Sequence, residues 1–230
     1  MTLATKPLTP RLGEGVYTLP DAALILRLPL TRLRHWVGGY FDAGDVEDDG
    51  FLATWGRGRG RGFNFLVLIE AYTVYHLRLL GVSLQRIRVA REILGKHLET
   101  PHPFAARGIL ASGGRVLFDL EASAPGALLQ LSPGKQTELR DIIEPFCTRL
   151  DFDPSTRLAD RFWPCGRGAH IVVDPRRSFG RPTITGTSIT AEVLADLVDA
   201  GEAPTDVAAQ YDVPVPAVEE AHRFIHQLAA

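Results

Sequence analysis

The sequence predicts a mainly α protein with small β elements, on three observations. Several segments repeat apolar residues at helical spacing behind capping residues, and a Gly-Gly pair sits between two short apolar runs in the middle. The last sixty or so residues hold three short helix patterns separated by turn residues. At 230 residues the chain exceeds the usual single-domain size, so three units are expected, at 1–100, 101–168 and 169–230.

Composition narrows the function classes. With 45% hydrophobic and 23% charged residues the chain can bury a core, and no low-complexity tract points to disorder. There is no signal-like N-terminus and no apolar run of about 18 residues or more, so neither export nor membrane insertion is expected. Only Cys147 and Cys165 occur, without CxxC spacing, which fits a reducing cytoplasm. The net charge of -2 conceals a split. Residues 1–115 hold 15 Lys+Arg against 10 Asp+Glu, and residues 116–230 hold 10 against 17, giving +5 and -7. A polyanionic partner is therefore expected at the front of the chain.

Thr18 followed by Asp21 is a capping-box start for a first helix, whose buried stripe is Leu19, Ala22, Ala23 and Leu26 and which Pro29 ends. A second helix, from about Leu30 to Gly38, buries Leu33 with Trp36 or Val37 and leaves Arg32, Arg34 and His35 outside. Two short helices across a tight corner, with cations on the second, resemble a helix-turn-helix. Residues 50–63 then interleave glycines with Arg57, Arg59 and Arg61, the chemistry of a wing that lets backbone and charge approach a phosphate. The acidic residues Asp42, Asp45, Glu47, Asp48 and Asp49, with no supporting histidine, read as a solvated loop. The helix at 63–82 is apolar nearly all round, so cover from a second copy is expected, in a homodimer. Ser83 caps the helix after it.

The runs at 17–37, Gly62-Phe63-Asn64-Phe65 and Gly81 to Arg88 resemble the DNA-binding domain of the MerR family. That resemblance implies a winged helix-turn-helix in which Arg34 touches the DNA backbone, with His35 where the family usually has an aromatic. The set expected to meet operator DNA is Arg32, Arg34, His35, Arg57, Arg59 and Arg61. Val37 replaces an acidic residue of the family, Asn64 an arginine, and no long coiled-coil helix follows, so the family's sensor chemistry does not carry over.

In the middle, Ile109-Leu110-Ala111 and Val116-Leu117-Phe118 flank Gly113-Gly114 as a β-hairpin, and Leu128 to Leu131 is a further strand candidate. Leu139, Ile142, Ile143, Phe146 and Leu150 lie at helical spacing with a kink at Pro145. Cys147, Cys165 and His170 lack the pair spacing of a zinc site.

At the C-terminal end, a strand at Ile171 to Val173 enters the Asp174-Pro175 turn, and Thr183 to Thr185 can pair with it. Thr190 caps a helix with the stripe Val193, Leu194, Leu197 and Val198, ended by Gly201. Pro204 and Pro216 mark the first positions of two more helices, and Val218, Ala221, Ile225 and Leu228 bury the last. The residues 170–230 hold nine acids against four arginines, and Glu219 and Glu220 stand where a recognition helix would meet phosphate, so protein contact is expected there instead of DNA. His222 and His226, four apart, are half of a metal site without a Glu-x-x-His partner, so no metal and no cofactor is expected.

Gly180, Pro182, Ile184, Gly186 and Thr187 resemble the Gly-x-Pro-x-Ile-x-Gly-Thr pattern of the DUF433-type antitoxin family, with Ser188 where that family has arginine. Together with the MerR-like front, the chain resembles VapB-type antitoxins. This implies a non-enzymatic protein that neutralises a PIN-like ribonuclease toxin, with Arg176, Arg177 and Arg181 as toxin-binding residues, and that represses its own operon. The alternative is a MerR-like one-component regulator that senses a small molecule through the middle region. No nucleophile and base pair marks an enzyme.

Overall fold

Thr18 opens the first helix, α1 (Leu19–Leu26), by a reciprocal cap: its amide donates to the Asp21 carboxylate at 2.7 Å and its hydroxyl accepts from the Asp21 amide at 3.4 Å. The structure is a computed structural model and describes residues 13–35, 54–55, 62–110 and 132–227. Helix α1 ends on Arg27 in the left-handed region, φ 57°. The next helix, α2, begins at residue 30 and is described to residue 35, with Leu33 buried and Arg32, Arg34 and His35 exposed. Trp36, Val37 and the acidic loop at 42–49 lie outside the described residues. Strands β1 (Thr54–Trp55) and β2 (Gly62–Phe63) pair antiparallel, and Tyr17 bridges to Phe63. Residues 56–61, which carry Arg57, Arg59 and Arg61, connect these strands and are not among the described residues.

Asn64 caps α3 (Phe65–Leu79) with its side-chain oxygen, which accepts from the Val67 amide at 2.9 Å. Helix α3 is buried on nearly every side between Phe65 and Leu77. Its neighbours are α1, α4 (Leu84–Leu98, capped by Ser83), the 3-10 turn Pro103–Ala105, and the helix over Pro133–Cys147. The cover that the apolar pattern assigns to a second copy is thus supplied largely within the chain. Glu70, fully buried on α3, accepts from the Phe104 amide at 3.3 Å and lies 3.2 Å from His102 Nδ1 and 3.7 Å from Arg91 Nη2. Arg91 also donates to the Pro101 carbonyl at 2.7 Å, so one carboxylate and one guanidinium tie α3, α4 and the 3-10 turn together.

The middle departs from expectation in two places. Ile109 and Leu110 close a helical turn, α5 (Arg107–Leu110), instead of entering a hairpin strand, because both amides bond back to the Ala106 carbonyl and both side chains enter the core. The rest of that hairpin and residues 128–131 lie outside the described residues. Helix α6 (Pro133–Cys147) buries Leu139, Ile143 and Phe146 and contains Pro145 on its exposed side, but Leu150 is not its last apolar residue. The Thr148 and Arg149 amides close the helix on the Glu144 and Phe146 carbonyls, and Leu150 starts a strand. Phe146 stacks on Tyr72 of α3 at 3.7 Å and lies 5.3 Å from Phe162, which fastens α6 between α3 and the sheet.

That sheet is an antiparallel meander of β3 (Leu150–Phe152), β4 (Ala159–Phe162), β5 (Ile171–Val173) and β6 (Pro182–Ile184). Its strands come from both sides of residue 168. Val173 contributes to the large core with α1, α3, α4 and α6, whereas Ile171 and Ile184 pack with the C-terminal helices in a smaller core. Those helices are α7 (Ala191–Asp199), α8 (Pro204–Tyr211) and α9 (Val215–His226). Pro204 is the first residue of α8, while Pro216 is the second of α9, after Pro214 at the cap. Val193, expected in the buried stripe of α7, is 41% exposed. The buried stripe runs through Ala191, Leu194 and Ala195, and at about 100° per residue Val193 points to the opposite side. On α9, Val218 and Ala221 are buried with Phe224, Ile225 is half-buried, and Leu228 is outside the described residues.

Candidate functional site

Between β5 and β6 the chain makes a tight turn whose geometry begins with a buried acid. The Asp174 carboxylate accepts from the Arg176 amide at 3.0 Å and from Arg176 Nε at 2.9 Å, with Arg161 Nε at 3.5 Å. Burial would raise this carboxyl, but the Arg176 hydrogen bonds outweigh it and hold it below the usual carboxylate range. Arg176 also donates to Asp160 at 2.9 Å, so its guanidinium is occupied by two carboxylates. Arg177 donates to the Thr187 carbonyl at 3.0 Å and the Ser178 hydroxyl to the Ser188 carbonyl at 2.8 Å, which fasten the turn to the segment leading into α7. Arg181 pairs with Glu192 at 3.0 Å, both side chains being well exposed.

At the tip, Phe179 sits at φ 57° with 70% of its surface exposed. Its carbonyl accepts from the Val16 amide at 2.9 Å, so the position is held from outside the turn. Gly180 follows at φ 84°, and a Cβ there would collide with the Tyr17 hydroxyl. Tyr17 is buried between Gly15 and Gly180. Burial, then the nearby Asp174 and Asp21, push its phenol well above its ordinary pKa. Gly186 has φ 82° but open space around it, so only the backbone conformation calls for glycine there. The Thr187 hydroxyl donates to the Ile184 carbonyl at 2.9 Å and accepts from the Ile189 amide at 3.1 Å, which sets the entry to α7.

Of the residues expected to meet a protein partner, Arg176, Arg177 and Arg181 therefore share one turn, each with a partner inside the chain. Arg32, Arg34 and His35 share the exposed side of α2. Glu220 does not join Glu219 as a free acid: its carboxylate accepts from the His170 amide and lies 3.0 Å from His170 Nδ1, anchoring the start of β5 to α9. Sequence reasoning missed Phe179, although an aromatic inside Arg-Arg-Ser-Phe-Gly-Arg, outside any periodic stripe, is the signal that points to it.

The glycine positions and turn just described fall in a region with known relatives. Residues 171–225 match the family model described as "Protein of unknown function (DUF433)". The match covers the sheet strands β5 and β6 and the three C-terminal helices. The chain is 28% identical over 218 residues to "Putative antitoxin VapB45" of Mycobacterium tuberculosis, covering 88% of this chain and 90% of that protein. It is 25% identical over 227 residues to "Uncharacterized protein Rv2308" of the same organism, covering 95% and 93%. The crystal structure of Rv2018 from Mycobacterium tuberculosis aligns with a TM-score of 0.66 at 23% identity, over 92% of this chain and 99% of that one, and shows a shared fold. Among the described residues no helix is long and apolar enough to cross a membrane.

Proposed function

We propose that the protein is an antitoxin that binds and neutralises a PIN-like ribonuclease through its DUF433 end and represses its own operon by binding operator DNA through its front. The observation that carries this reading is the similarity to a protein named as an antitoxin over nearly the full length of both chains. It acts by binding and not by catalysis.

The toxin-facing edge is the β5–β6 turn. Phe179 is an aromatic anchor, and Arg181 beside it pairs, among the described residues, with exposed Glu192, an ion pair worth little in water and readily exchanged for a carboxylate of the nuclease site. Arg177 stands on the other side of Phe179. Arg176, held by Asp174 and Asp160, shapes the turn instead of reaching the partner.

At the front, Arg32, Arg34 and His35 on α2 and Arg57, Arg59 and Arg61 in the wing meet DNA in a winged helix-turn-helix. Two copies bind as a homodimer on paired half-sites, and Leu79, Val89 and Ile93, exposed apolar side chains on α3 and α4, form the surface a second copy covers.

Co-expression with a PIN-like nuclease encoded by an adjacent gene tests the toxin arm. Suppression of toxicity should fall in a Phe179→Ala, Arg181→Ala double variant, and full suppression by it would exclude this edge. For the DNA arm, about six phosphate contacts give a log-log salt slope of about -5. Replacing the three wing arginines with alanine should flatten that slope, and an unchanged slope removes the wing from the interface.

A further inference from the structure

The end of α7 meets the last turn of α9. His222 and His226 are one helical turn apart on α9 and so point the same way, and Asp199, the last residue of α7, faces both. One oxygen of its carboxylate lies 2.9 Å from His222 Nε2 and the other 2.8 Å from His226 Nε2, with the two rings 4.6 Å apart. The three donor atoms all lie within 4.8 Å of one another, and the side chains are 44%, 36% and 49% exposed for Asp199, His222 and His226.

We propose that Asp199, His222 and His226 form a binding site for one divalent transition-metal ion of the zinc type. Each group offers a lone pair at the convergent atom: Nε2 of a neutral imidazole twice, and a carboxylate oxygen once. Two imidazoles and one carboxylate make a three-ligand zinc set that leaves a fourth position for water or an outside ligand. The same set is unsuited to magnesium or calcium, which take mainly oxygen ligands. The Nε2 to oxygen separations are a little shorter than the edge of a tetrahedron around zinc, about 3.3 Å for ligands near 2.0 Å, so a change of side-chain rotamer, without backbone movement, admits the ion. The position of Asp199 as the last residue of α7 explains the convergence. The α7 C-terminus is set against α9 by the buried Leu194, Ala221 and Phe224 core, which delivers the carboxylate to a histidine pair already spaced by the helix. A bound ion staples α7 to α9, and because the site is exposed it fills and empties without unfolding.

The test titrates Zn2+ into untagged full-length protein at neutral pH by calorimetry. The expected result is one equivalent bound, a rise in melting temperature with Zn2+ and none with Mg2+, and at least a ten-fold loss of affinity in His226→Ala and in Asp199→Asn. The Asp199→Asn substitution keeps the side-chain shape, so its loss is not one of folding, and His97→Ala, on α4, should bind as the parent does. Co2+ in place of Zn2+ should give ligand-field absorption in the visible without the near-ultraviolet thiolate band that a site built on Cys147 or Cys165 would show. Absence of binding at tens of micromolar Zn2+, affinity unchanged in both site variants, or a thiolate band would each overturn the proposal.

Discussion

The guanidinium of Arg27 lies 4.1 Å above the ring of Phe224 and donates to the Phe224 carbonyl at 2.7 Å and the Gln227 carbonyl at 2.6 Å. One side chain at the end of α1 thereby caps the end of α9 and stacks on its buried aromatic, joining residues almost 200 apart in sequence. Cations at a helix C-terminus meet its unsatisfied carbonyls and its partial negative charge, and here the cation comes from the other end of the chain.

Arg27→Ala removes both hydrogen bonds and the stacked cation, at a cost of about 2 kcal/mol. Arg27→Lys keeps the charge but loses the fork and should recover only part of it. Amide exchange in residues 215–227 should accelerate in the alanine variant, and unchanged protection there would show that the two ends are held by other contacts.

Gly180 and Gly186 separate two reasons for a glycine. Gly186→Ala pays only for the left-handed backbone, about 1 kcal/mol. Gly180→Ala adds a collision with Tyr17, so its cost should reach about 2–4 kcal/mol. Shrinking the ring in a Tyr17→Leu background should relieve the second cost and not the first, which equilibrium unfolding of the three single and two double variants would measure.

Glu70 is the acceptor for a buried amide and the counter-charge of Arg91. Glu70→Ala leaves these groups buried without it and should cost about 3–5 kcal/mol. Glu70→Gln keeps an acceptor for the Phe104 amide and should cost less. A urea midpoint that falls with an unchanged slope is the expected signature.

His76 packs against Tyr72 and Tyr75, with no hydrogen-bond partner for either ring nitrogen among the described residues, and burial lowers its pKa from 6.5 to about 4. The unfolded chain therefore binds this proton first as pH falls, and stability declines between pH 6.5 and 4 by a total of about 3 kcal/mol. Roughly 2 kcal/mol of that loss lies between pH 7 and 5 by the same relation. His76→Leu should flatten this part of the stability profile, and an equal slope in parent and variant would assign the acid sensitivity to other groups.

The sequence alone determined what depends on near neighbours in the chain. The Thr18 and Asp21 cap, the cationic exposed side of α2, the Ser83 and Thr190 caps, the strand at 171–173 and the three C-terminal helices are all set by spacing, capping chemistry and proline, which act within a few residues. Only tertiary structure decided the rest, because burial depends on what packs from elsewhere. An apolar run at Ile109 and Leu110 satisfies a helical turn as well as a strand once the core accepts both side chains, and Val193 is apolar but on the side of α7 that no described element covers. Glu70 in an apolar helix is legible as an anomaly, yet Arg91 and His102 reach it only through the fold. Gly180 belongs to a recognisable pattern, but the ring that forbids a side chain there comes from Tyr17. His222 and His226 are half a site on paper, and it is the packing of α7 on α9 that brings Asp199 to them.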